Sequence, residues 1–121
     1  MKTSIMFLAA IFFSVCWIGC GGSSTNNCLI TANVVPASAI ADHNAAAPGN
    51  QVQFSTSSTV SGNCPLIADT LGTWSTSDPG NTSISNAGLA TCLSATTTPA
   101  TISNSGTVRG RKFTSATLTC R

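Results

Sequence analysis

The sequence has no tyrosine and one histidine, His43, and its only carboxylates are Asp42, Asp69 and Asp78. Charged residues make up 7% of the 121 positions, against roughly a quarter in ordinary soluble domains. With 42% hydrophobic residues, the shortage of charge excludes a charge-rich disordered chain. The formal net charge of +2 includes Lys2, and a charge that small recruits no nucleic acid. Arg109, Arg111 and Lys112 form one local basic cluster, which reads as a solvated turn. No C-x-x-C pair is present and His43 is remote from every cysteine in sequence, so a zinc site is not expected. The three aspartates occupy turn-like positions, where such side chains bond neighbouring amides. A calcium site would need several of their oxygens to converge from separate loops. His43 lies in a Pro- and Ala-rich stretch without a nucleophile elbow. No catalytic constellation follows, so neither an enzyme nor a cofactor is expected.

What is present at the N-terminus is an address. Met1 to Ser4 carry one positive side chain, and Ile5 to Ile18 form an apolar run of about 14 residues. Spanning a bilayer wants about 20 such residues, whereas this length suits the h-region of a signal peptide. The stretch Gly19-Cys20-Gly21-Gly22-Ser23-Ser24 resembles a bacterial lipobox, in which a small residue precedes a cysteine that is lipidated and becomes the mature N-terminus. Trp17 stands where that motif usually holds an aliphatic. The resemblance implies a signal peptide over 1–19, acyl chains on Cys20 and a flexible tether over 20–27. Several acyl chains would anchor the protein stably. An ordinary secretory signal and an uncleaved anchor are the alternatives.

Of the six cysteines, Cys16 and Cys20 belong to this segment, leaving Cys28, Cys64, Cys92 and Cys120. Four cysteines in a small exported domain read as two disulfides, with three pairings open.

The remainder, 28–121, has room for a single core. Leu29 to Pro36 mixes aliphatic and polar residues and ends at proline, as an edge strand does. Ala37 to Ala47 is broken by Asp42-His43-Asn44 and flanked by Pro36 and Pro48, which predicts a loop or one helical turn. Gln51 to Thr56 places Val52 and Phe54 on one face, and Ser57 to Asp69 reads as a long connection. Leu71 to Thr76 is the next strand, with Trp74 the expected centre of the core and Phe54 beside it. Thr82 to Ser85, Leu89 to Cys92, Ala100 to Ser103, Thr107 to Arg109 and Phe113 to Cys120 complete the set. About seven short strands and no competing helix indicate an all-β sandwich or barrel.

Thr73-Trp74-Ser75-Thr76-Ser77-Asp78, followed by Ile84 and then Gly88-Leu89, resembles the group 2 bacterial immunoglobulin-like domains. Val34-Val35-Pro36, Gly49 to Phe54 and Ser115 to Thr119 are similar to the opening, second and closing strands of that family. The cysteines are not part of its general pattern, and the tyrosine corner of many such folds is missing. The resemblance implies an immunoglobulin-like β-sandwich of about seven strands. Its first and last strands lie side by side, so Cys28 is expected to pair with Cys120 and Cys64 with Cys92. It further implies a protein of the bacterial envelope or surface, and with the lipobox and the lack of a catalytic constellation the expectation is a non-enzymatic envelope lipoprotein on the outer membrane or cell surface. The module would be structural or bind proteins in the manner of an adhesin. A carbohydrate-binding module at the surface is the alternative. The expected partners are the membrane, through the lipid on Cys20, and envelope proteins or polysaccharide.

Overall fold

The computed structural model describes residues 27–121; the expected signal segment, Cys20 and the tether up to residue 26 lie outside them. The described residues form strands, turns and bends without a helix. The strands are β1 (Leu29–Val35), β2 (Ser38–Ala41), β3 (Gln51–Gln53), β4 (Ser55–Ser61), β5 (Trp74–Thr76) and β6 (Thr82–Ile84). They continue with β7 (Leu89–Cys92), β8 (Ala100–Asn104), β9 (Thr107–Val108), β10 (Arg111–Lys112) and β11 (Ala116–Cys120).

Alternation decides which face each strand buries. In β11, Ala116, Leu118 and Cys120 are buried while Thr117 and Thr119 turn away. In β8 the buried residues are Ala100 and Ile102, and in β7 they are Ala90 and Cys92. A four-stranded sheet in the order β2-β11-β8-β5 and a three-stranded sheet in the order β3-β7-β6 contribute these side chains to one core. The result is an all-β, sandwich-like fold. A ribbon of β1 and β4 extends it, since only Phe54 separates β3 from β4.

Long-range pairing created two strands that local sequence does not announce. Ser38–Ala41, expected as loop, runs parallel to β11 in the register Ser38↔Thr117 to Ala41↔Cys120. Ser57 to Ser61, expected as connection, completes β4, which pairs along its whole length with β1. No residue of β4 is buried. Its hold is the backbone ladder, with Thr31 Oγ1 and Thr59 Oγ1 2.6 Å apart across it. Strand preference follows the partner more than the residue.

The centre of the core falls on Phe54, which is fully buried with Ile102 and Leu118. Trp74 is half-buried and packs against the core from β5. Because β5 is the edge of its sheet, one flank of the indole has no neighbouring strand to cover it. Among the described residues Thr82 is the buried polar one: its hydroxyl donates to the Asp78 carbonyl at 2.7 Å, so its burial leaves no lost hydrogen bond.

The disulfides differ from the expected pairing: Cys28 joins Cys64, and Cys92 joins Cys120. The first and last strands do meet, through the bridge Asn33↔Thr114, but they meet in parallel. Cys28 immediately precedes one strand and Cys120 ends the other, which separates them by roughly 35 Å along the strand direction. A disulfide tolerates Cα atoms only up to about 7 Å apart. The antiparallel β1–β4 ribbon instead brings Leu29 opposite Ser61, leaving Cys28 and Cys64 with Cα atoms 4.6 Å apart. Cys92 and Cys120 face each other from the two sheets at a Cα separation of 5.6 Å.

Each disulfide closes a loop of moderate length, 36 and 28 residues in separation, and so restricts the unfolded chain by about 4 kcal/mol in the entropic account. Denaturant unfolding of Cys92→Ala/Cys120→Ala is expected to show a larger loss than Cys28→Ala/Cys64→Ala, because only the former pair is buried in the core. Equal losses would show that the sheets close without the buried pair. Phe54→Ala should cost about 3 to 5 kcal/mol, measured the same way.

Candidate interaction surface

β1 starts, β4 finishes and β5 begins at the end of the domain where the chain arrives from residue 27. Two connections gather there. The first is the stretch 62–73 between β4 and β5, tied down at Cys64. The second is the β9–β10 hairpin, whose register Val108↔Arg111 leaves Arg109 and Gly110 as a two-residue turn. Both turn residues have positive φ, 50° and 78°, as the mirror-image turns that suit hairpin twist require. Glycine adopts this conformation without steric cost, and the neighbouring Arg109 is thereby placed at the tip.

The two connections are fastened to each other. Thr70 and Thr107 exchange backbone hydrogen bonds at 3.0 and 3.2 Å, and their hydroxyls lie 2.9 Å apart. The Arg109 amide donates to Asp69 Oδ1 at 2.8 Å. Gly72 crosses so close to Gly106 that a Cβ on Gly72 would sit 2.0 Å from the Gly106 nitrogen, so the crossing requires glycine. Leu66, Ile67, Asp69 and Arg109 line an open cleft of about 340 Å³. A second cleft, about 240 Å³, runs between the start of β1 and Arg111 and Thr114.

This end carries an unusual surface. Leu66 is 90% exposed and Leu71 fully exposed, with Ile67 and Leu29 at least half exposed. Arg109 shares the first cleft with Leu66 and Ile67, Arg111 shares the second with Leu29, and Lys112 is exposed on the same hairpin. Three of the four described cations, Arg109, Arg111 and Lys112, lie here against one carboxylate, Asp69. The sequence marked the basic cluster but not the leucines, which sat in a stretch read as plain connection. Their signal was available: Pro65-Leu66-Ile67 and Leu71 are apolar residues between Gly62-Asn63 and Gly72 with no strand alternation to bury them.

The other polar groups singled out by the sequence are engaged locally. His43 Nδ1–H donates to the Arg121 carbonyl at 2.8 Å. Asp42 accepts from the Asn44 amide at 2.9 Å, and Asp78 accepts from the Asn81 side chain at 2.8 Å. Asp42 and Asp78 stand on connections at the far end of the domain from Asp69, and among the described residues no three His, Cys, Asp or Glu side chains converge. Phe113 is half-buried against the core. Cys20 lies outside the described residues.

Asp69→Ala removes the acceptor for the Arg109 amide, a hydrogen bond worth about 1 to 2 kcal/mol. Hydrogen exchange at Arg109 should therefore accelerate by roughly tenfold, with exchange in β8 and β11 unaltered; an unchanged Arg109 rate would show that the carboxylate does not hold the hairpin. No protein-family model and no curated protein matches the sequence.

Proposed function

We propose that this chain is a non-enzymatic lipoprotein of the bacterial envelope, in which residues 28–121 form one immunoglobulin-like module with a structural or protein-binding role. The observation that carries the proposal is the pair of disulfides in a domain that follows a charged start, a short apolar run and Cys20. Stable disulfides belong to oxidising compartments outside the cytoplasm. The immunoglobulin-like assignment is supported by the strand order. The opening segment is split, with β1 on β4 and β2 parallel to β11, and a disulfide spans the two sheets between β7 and β11. Such folds bind through their end loops and sheet edges and need no catalytic group.

Sugar recognition draws less support. A carbohydrate module offers a flat exposed aromatic ring, whereas Trp74 and Phe113 both pack against the core.

Cys20→Ser is the direct test. Fractionation of bacteria expressing the unaltered chain should place it with membranes and label it with fatty acid, and the variant should lose the label and appear in the soluble fraction. A variant that stays with the membrane would overturn the lipid anchor.

A further inference from the structure

We infer that the N-terminal end of the domain is a membrane-contact face, in which the 62–73 stretch and the β9–β10 hairpin together rest on an anionic lipid surface. Two side-chain classes meet there. Leu66 and Leu71 point almost entirely into solvent and Ile67 is half exposed, an arrangement that costs free energy unless something apolar covers it. Arg109, Arg111 and Lys112 stand on the adjoining hairpin. Leucine tips flanked by basic side chains are the composition of interfacial binding: the apolar groups enter the headgroup boundary while the cations attract anionic lipid.

Charge placement specifies the orientation. The far end holds Asp42, Asp78 and Arg121, so the domain presents its positive end on one side and a negative end on the other. Chain length agrees with it. Cys28 is fixed to Cys64 at the base of the leucine loop, and it follows Cys20 by eight residues, which extend to at most about 28 Å. A membrane holding Cys20 is therefore within reach of this end. The rigid coupling of the two connections through Thr70, Thr107 and Asp69 presents leucines and cations as one surface. The inference rests on the proposed function for a bilayer nearby and, in the argument from reach, for the lipid on Cys20.

The test is hydrogen exchange on the full chain bound to vesicles of phosphatidylcholine alone or of phosphatidylcholine mixed with phosphatidylglycerol. On the anionic vesicles, amides of residues 66–71 and 109–112 should exchange roughly tenfold more slowly, high salt should reverse much of the effect, and residues 94–98 at the far end should not change. Arg111→Gln/Lys112→Gln and Leu66→Ser/Leu71→Ser should each abolish most of the protection. All four side chains are exposed, and unaltered exchange at 94–98 with intact disulfides certifies the fold of each variant. Equal exchange on the two vesicle types overturns the inference. So does the same protection in uncharged detergent without vesicles, which would show that the face needs no anionic lipid. The mass of Cys20 in the same samples reports the anchor separately. A chain without an acyl adduct that floats only with anionic vesicles would sink the lipoprotein reading and support the membrane face.

Discussion

The Cys92–Cys120 bond lies where the two sheets face each other, and the rest of the fold depends on that closure. The side chains available to fill the core are small: Ala41, Ala90 and Ala116 stand beside only a few large residues, chiefly Phe54, Ile102 and Leu118. Alanine contributes little transfer free energy on burial, and a domain of this size has a modest core in any case. Small scaffolds of this kind compensate with covalent staples. The bond restricts the unfolded chain and also holds β7 and β11 at the separation at which Phe54 fills the space between sheets. Small residues on the facing strands let the sheets approach closely, and the bulk of Phe54 and the sulfur pair sets how closely.

The strands that bury alternate residues were legible. β8 and β11 bury alanine, isoleucine, leucine and cysteine while threonine and serine turn outward, β7 buries Ala90 and Cys92 between Leu89 and Thr91, and β1 buries Ala32 and Val34 on either side of an exposed Asn33. The strands that bury little were not, for a physical reason. β4 and β2 are made by their partners' backbone groups, and Ser-Thr-Ser-Ser has no apolar alternation to announce it. The disulfide pairing failed on direction. Adjacency of first and last strands is correct at Asn33 and Thr114, but parallel adjacency puts strand starts together and so keeps a cysteine at one start away from a cysteine at the other strand's finish. Spacing alone carries no strand direction. Trp74, the expected centre, is only half-buried because β5 is an edge strand, and the centre falls to Phe54 instead.

The candidate surface was half legible. Arg109, Arg111 and Lys112 are adjacent in sequence, and Gly110 between them signals the turn. That Leu66 and Leu71 sit beside the same hairpin depends on Thr70 meeting Thr107, thirty-seven positions away, and no local pattern encodes such a meeting. A basic turn alone reads as solvated surface. The same turn beside uncovered leucines is an amphipathic face, so the three-dimensional adjacency changes the chemical meaning of residues that were individually unremarkable.

The order of the two disulfides along the chain has a mechanical consequence. Cys28 is closed on Cys64 before Cys92 is closed on Cys120, with no overlap between the loops. Tension applied along the backbone passes through the sulfur bridges and bypasses most of both enclosed segments. Under load the domain can pay out only the stretch from Cys64 to Cys92, a contour of about 100 Å, where the same chain with its thiols reduced would release roughly 320 Å. The β1–β4 ribbon and the β8–β11 half of the fold are thus shielded from shear, and the module behaves as a short-travel link whose extension is capped by covalent bonds.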